Sequence, residues 1–254
     1  MSDAVTYVYA VTRGADEATV AGLAGVGGGP VRLVGNGPLQ AVVGDVDREE
    51  FEARALEERL EDLEWLAATA RAHHHVVDAV GRVHVVAPLS LATVYYGDDR
   101  VREVLEQGGE TFRTVLDRLT GRAEWGVKAY ARDRPVAPAG GSGGDRPRSG
   151  AEYLRRRRRE LREGDLTLEE AQQAAEEVHA AVGALAEATR THRLQDPALT
   201  GSTERMVLNG AYLVPVEAVG DLEALVASLA EHPRLRVELT GPWVPYSFAQ
   251  VDVS

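Results

Sequence analysis

The sequence predicts an α+β protein of two domains, each with a β-α-β-β-α-β order of elements and additional helices. Three observations carry that expectation. Several short stretches alternate apolar and polar residues with a period of two, as half-buried strands do; residues 124–130 and 235–240 are the clearest. Longer stretches place apolar residues three and four apart, the spacing of an amphipathic helix. The 254 residues exceed what one ordinary domain needs. The strand at 124–130 lies halfway along and marks the division: an N-terminal domain over residues 1–123 and a C-terminal domain over 124–254.

In the first half, residues 6–11 alternate aromatic and β-branched side chains and read as a strand. Asp16 is placed to cap a short helix reaching Leu23. Residues 31–34 and 39–46 read as an antiparallel pair joined by Gly35-Asn36-Gly37-Pro38. One long helical region is expected from about residue 48 to 80. Leu56, Leu60, Leu63, Ala67 and Ala70 make one stripe, continued by Leu66, His73, Val77 and Val80. Residues 83–96 begin extended, and Pro88 confines them to an edge, a bulge or a kink. Asp98 or Asp99 is expected to cap a single helix over 101–119, which Gly121 ends. In the strand that follows, Val127 and Ala129 face one way and Lys128 and Tyr130 the other.

In the second half, residues 137–149 are rich in Pro, Gly and Ser and read as a flexible loop that does not carry the fold. A helix is expected from near Ala151, and a second over 166–191 with Thr167 as N-cap and Val178, Val182, Leu185 and Ala188 buried. A strand at 205–214, a helix at 216–230 and a strand at 235–240 complete the set. The strands at 205–214 and 235–240 are expected to share a sheet with 124–130, covered by the 151–191 helices. Residues 241–254 form a tail whose Trp243, Tyr246 and Phe248 are expected to pack back onto the body.

Composition removes several functional classes. There is no cysteine, which excludes disulfides, cysteine-liganded metals and thiol nucleophiles. A net charge of −12 argues against nucleic-acid binding. The charge is uneven, because residues 133–162 hold nine arginines against four acids. A basic stretch in an acidic chain suits contacts with other proteins, or with a second copy. Met1-Ser2-Asp3 opens no signal-peptide pattern, and no apolar run has the length of a membrane span.

Four features invite chemistry, and each has a plainer explanation. The glycine-rich run 25–30 leads into a strand, whereas a phosphate cradle opens a helix. Glu57, Glu58, Glu61 and Glu64 line the outer side of a helix, where carboxylates are solvated rather than paired for acid–base work. His73, His74 and His75 are consecutive and diverge by about 100° each, so they cannot converge on one metal ion. His73 falls on the buried stripe and is expected to be a packed, hydrogen-bonded residue. Arg155–Arg159 circle a helix as a collar; they are either solvated or a dock for an acidic partner. No catalytic, cofactor or metal constellation emerges.

Four segments carry a resemblance. They are Leu63-Glu64-Trp65-Leu66 with Ala70 and His73; Pro88-Leu89-Ser90-Leu91-Ala92-Thr93-Val94; Glu124-Trp125-Gly126-Val127-Lys128; and Gly241-Pro242-Trp243-Val244-Pro245-Tyr246-Ser247-Phe248. Tyr7-Val8-Tyr9 and residues 208–214 add to it. In order and spacing they resemble the GvpF/GvpL family of gas vesicle accessory proteins. Many relatives read P-L-R-F-G-T-V where this chain has residues 88–94; Ser90 replaces a basic residue there. The Arg-rich tract around 140–159 is a second departure.

The resemblance implies two α/β domains of ferredoxin-like character. It implies a non-enzymatic role in assembling gas vesicles, in the cytoplasm or at the vesicle. The partners implied are the hydrophobic shell protein GvpA and other accessory Gvp proteins, with no nucleic acid, membrane or cofactor. A minor structural component retained in the vesicle wall is the alternative, and a small-molecule-binding or enzymatic module is a third. The expected contact surface is the 48–82 helical region with Pro88, Leu89, Leu91, Val94 and Tyr95, where Pro88 interrupts an apolar segment at a sheet edge.

Overall fold

A computed structural model of the chain describes residues 4–35, 37–132, 150–195 and 204–250. The chain divides into two compact units, Met1–Glu124 with Pro242–Ser254, and Trp125–Gly241. Each holds one antiparallel sheet.

In the first unit, β1 (Ala4–Arg13) leads to α1 (Glu17–Val20), then to β2 (Val31–Val34) and β3 (Leu39–Asp47). Asp16 caps α1 in a capping box with Thr19, as its position predicts. The expected helix over 48–80 is instead three: α2 (Arg48–Phe51), α3 (Ala53–Glu61) and α4 (Leu63–Gly81). The first break falls at Glu52, whose backbone is extended at ψ 146°. The second falls at Asp62, whose carboxylate accepts from Glu64 N–H at 3.0 Å and Trp65 N–H at 3.2 Å. A side chain that caps a new helix ends the old one. The breaks rotate the faces: Leu60 and Leu63 are exposed, while Thr69, His73, Val76, Val77 and Val80 are buried.

The chain continues through β4 (Val86–Pro88) and β5 (Val94–Tyr95) to α5 (Asp98–Gln107) and α6 (Gly109–Leu119). The single helix expected over 101–119 divides at Gly108. A Cβ there would lie 2.8 Å from the Phe112 ring, so the glycine admits that ring against the turn. Asp98 does not cap α5. Its two oxygens take Thr6 Oγ1 at 3.3 Å and Arg32 Nη1 at 2.8 Å.

The first sheet runs β2-β3-β1-β4, with β5 also paired to β1, and its β1–β3, β1–β4, β1–β5 and β2–β3 pairs are antiparallel. That is the order a β-α-β-β-α-β unit gives. A bulge between Val8 and Ala10 leaves Tyr9 as the extra residue on β1. Helices cover both faces: Thr6 bonds to Asp98 on α5, and the next residue, Tyr7, bonds to His73 on α4. Residues 5–12 are therefore buried without a break.

In the second unit, β6 (Arg122–Ala131) is followed by α7 (Gly150–Gly183), β7 (Ala188–Thr191), β8 (Met206–Pro215), α8 (Val219–Ser228) and β9 (Leu235–Trp243). The sheet order is β7-β8-β6-β9, which repeats the first unit's pattern. Residues 124–130, 205–214 and 235–240 share this sheet as expected. Two helices were expected where α7 is one of 34 residues, and residues 188–191 are strand rather than helix. No proline interrupts α7, Gly183 ends it, and Thr189 and Thr191 suit an edge strand. Its buried stripe is Ala171, Ala174, Ala175, Val178 and Val182. On β6, Trp125, Val127 and Ala129 are buried and the residues between them are half-buried. Gly126 is required because a Cβ would meet Thr240 Oγ1 at 2.6 Å.

The expected flexible loop 137–149 lies outside the described residues. So do the side chains of Arg155–Arg159.

Candidate functional site

Most of the segments that carry the resemblance meet in the first unit; of Glu124–Lys128 only Glu124 belongs to it, and residues 208–214 lie in the second. The centre is Tyr7 on β1, which is fully buried. Its hydroxyl accepts from Ala92 N–H at 3.0 Å and lies 2.9 Å from His73 Nδ1. A hydroxyl that accepts there has its one proton for the histidine, so Nδ1 accepts and the neutral ring carries its proton on Nε2. Tyr9, with its ring 4.8 Å from that of Tyr7, accepts from Val26 N–H at 2.8 Å. Phe51 stands edge-on to Tyr7 at 5.7 Å and meets Trp65 at 5.6 Å. Such a cluster adds specific ring contacts to plain apolar burial.

The C-terminal tail closes this cluster. Tyr246 lies 6.1 Å from His73 and 5.9 Å from His74, centroid to centroid. Val244 packs on the same core. Ser247 donates twice to Glu124, from its backbone N–H at 2.8 Å and its hydroxyl at 2.6 Å. Phe248 is buried, with the Arg118 guanidinium 5.9 Å from its ring centre. Trp243 is the exception, because 47% of it is exposed, with its ring 6.5 Å from that of His74. Tyr246 and Phe248 pack back as expected; Trp243 does so in part. The tail was expected within the C-terminal domain, yet it clusters with the first unit because these contacts hold it there.

Burial shapes the ionisation of the centre. His73 is pushed down to about 4, mainly by burial and further by its neighbour His74; the Leu89 backbone opposes both without closing a hydrogen bond to Nε2. Burial also raises the phenols of Tyr7, Tyr9 and Tyr246. His74 and His75 are exposed. Among the described residues, no group of three or more His, Asp or Glu side chains could hold a metal ion.

The candidate contact residues form the rim of this centre. Leu89 N–H donates to Tyr9 O at 3.0 Å, and Val8 N–H donates to Thr93 O at 2.9 Å, so the 89–93 turn is tied to β1 on both sides. Pro88 is buried in β4, and Val94 packs on the core. Leu89, Leu91 and Tyr95 are half-buried. Tyr96, outside the expected set, is 72% exposed, with the Arg48 guanidinium 5.4 Å from its ring centre.

Sequence reasoning did not find Tyr7, Ala92, Glu124 and Ser247 as partners of one another. Ala92 left a trace, because the pattern P-L-R-F-G-T-V that residues 88–94 resemble reads glycine at this position, and Ala92 adopts φ 63°. Glu124 and Ser247 lie 123 positions apart, and no spacing rule joins them.

Comparison with known proteins agrees with this convergence. The family described as "Gas vesicle synthesis protein GvpL/GvpF" matches residues 5–250. Gas vesicle protein L of Streptomyces sp. (strain CB03234) is 43% identical, over 98% of this chain and 94% of that protein. Gas vesicle protein F2 of Halobacterium salinarum is 24% identical over 100% of this chain and 95% of that one. In fold, the crystal structure of GvpF from Anabaena sp. PCC7120 superposes with a TM-score of 0.67 at 20% identity, covering 98% and 97% of the two chains. GvpF from Microcystis aeruginosa gives 0.63 at 17% identity, covering 97% and 99%. With the family's pattern running over residues 5–250 and a relative 43% identical over almost the whole chain, this chain belongs to the GvpL/GvpF family of gas vesicle proteins.

Proposed function

We propose that this protein is a non-enzymatic accessory factor of gas vesicle assembly that binds the hydrophobic shell protein GvpA and other accessory gas vesicle proteins. The observation that supports it most is the family match over residues 5–250. The physical rationale is that an apolar shell subunit needs its surface covered until it is incorporated. A partner with net charge −12 stays dissolved while covering it. The contact surface is the rim formed by Leu89, Leu91 and Tyr95, with Tyr96 beside them and Pro88 and Val94 supporting it from below. The match to the Streptomyces protein L, at 43% over almost the whole chain, is fuller than that to protein F of the same strain, at 28% over 52% of this chain. This favours an L-type member.

The test is capture of tagged GvpA by the full-length protein, by Leu91→Asp and by Tyr95→Asp, at low and raised salt. Apolar docking predicts capture that survives salt and falls in both variants. Capture lost in salt but unaffected by the variants would move the contact to Arg155–Arg159. No capture by the unaltered protein would remove the shell-subunit assignment.

A further inference from the structure

Ala92 is the only non-glycine residue at positive φ among the described residues, at 63°. A residue with a Cβ holds that conformation only where its surroundings impose it. The surroundings here are a chain of buried groups. Ala92 N–H donates to the Tyr7 hydroxyl at 3.0 Å, and that hydroxyl donates to His73 Nδ1 at 2.9 Å. The chain thus runs inward from the turn at Ala92 and ends at His73, whose Nε2 closes no hydrogen bond. It crosses a phenol that is 0% exposed and an imidazole that is 3% exposed. Water cannot replace either group at such depth without opening the core. On the outside, Thr93 N–H and Oγ1 reach only Ser90 O, at 3.3 and 2.8 Å, which is a bond within the turn itself.

We propose that Tyr7 and His73 are positioning residues: they hold the 89–93 turn in its left-handed conformation and so fix how Leu89, Leu91 and Tyr95 face a partner. This rests on the contact surface assigned above. It adds that the surface is set from beneath, by two residues no partner touches. The backbone bonds from Leu89 N–H to Tyr9 O and from Val8 N–H to Thr93 O anchor the ends of the turn; its middle, at Ala92, does not retain its shape once the hydroxyl is removed.

The experiment is amide hydrogen exchange on the full-length protein, alongside GvpA capture. Tyr7→Phe is expected to speed exchange at residues 89–93 about tenfold more than in the β1–β3 ladder, the ladder reporting the general loss of stability and the excess reporting the local hydrogen bond. Ala92→Gly removes the backbone strain, so the effect of Tyr7→Phe is expected to shrink in that background. GvpA capture should fall with Tyr7→Phe and recover in the double variant. Unchanged exchange at 89–93, or equal acceleration in both backgrounds, overturns the proposal. Faster exchange with undiminished capture overturns the positioning role and leaves the assembly function standing. If the unaltered protein captures no GvpA, the assembly assignment fails and the exchange data still judge the turn. Should Tyr7→Phe not fold, the nitrogen resonances of His73 in the unaltered protein decide: a proton on Nδ1 at neutral pH refutes the chain.

Discussion

The two units share a strand order and differ in how their first strands are buried. In the first, α4 lies on one face and α5 and α6 on the other, and β1 is buried at every position from 5 to 12. In the second, β6 alternates between buried and half-buried residues. The difference dictates where polar groups find partners. Tyr7, Tyr9 and Thr12 of β1 bond to His73 and Ala92, to Val26 and to Val85, all from inside the unit. On β6 the equivalent job is done at the surface, where Arg236 stands 4.2 Å over the Tyr130 ring and binds Glu204 and Glu238. Both units pair a buried tyrosine with a helix histidine, Tyr7 with His73 and Tyr212 with His179 at 2.7 Å. Only the first pair is sealed, since His179 is half-buried. A strand buried on both sides turns each internal hydroxyl into an obligation; one that is half-buried at alternate residues leaves room for water.

The comparison can be broken hardest at the glycines beneath the tyrosines. A Cβ at Gly25 would lie 2.2 Å from Tyr9 Oη, and one at Gly210 would lie 2.6 Å from the Tyr212 ring. Gly25→Ala is expected to cost about 3 kcal/mol, because Tyr9 is anchored to Val26 N–H and cannot swing away. Gly210→Ala should cost less, about 1–2 kcal/mol, since Tyr212 has a half-buried neighbour to move against. Equal losses in urea unfolding would show that the sealed unit is no less yielding than the other.

Acid is the next lever. His73 is held at about 4 in the folded protein against 6.5 in the unfolded chain. Unfolding therefore takes up a proton between these values. The neutral ring costs nothing above pH 6.5; below it stability declines, and the full loss is reached near pH 4. The size is about 3 kcal/mol. His73→Phe should flatten that part of the pH profile, and an unaltered slope would mean that the ring is solvated.

A smaller effect separates the two tyrosines. Tyr7→Phe strands both Ala92 N–H and His73, and about 2–3 kcal/mol is expected; Tyr212→Phe strands only His179, for about 1 kcal/mol. The smallest effect is at Leu63, which is 79% exposed although its spacing places it on the stripe. Leu63→Ser should change stability by no more than about 0.5 kcal/mol; a larger loss would point to a contact made by that face.

These outcomes bear on what the sequence revealed. The strand at 124–130 was legible because one face is buried and the alternation is clean. Residues 6–11 were legible as a strand, but not as one buried on both faces, because whether α5 and α6 cover the far side is a matter of tertiary arrangement. His73 was readable as a packed residue from its place on the stripe. The breaks at Asp62 and Gly108 were missed for a local reason: apolar spacing runs across a break whenever the next helix returns to the same core. Of the candidate contact residues, Pro88 and Val94 turned inward, which no period could show in a segment folded around a left-handed turn.

The return of the tail to the first unit has a consequence for biosynthesis. Tyr246 and Ser247 dock against His73 and Glu124, so the first unit has its strands and helices early in translation but lacks part of its wall. β9 ends at Trp243, immediately before those residues, so the wall of the first unit closes only once the last strand of the second has been made. A chain cut short before residue 242 would present the rings around His73 to water, in a form that invites proteolysis and aggregation.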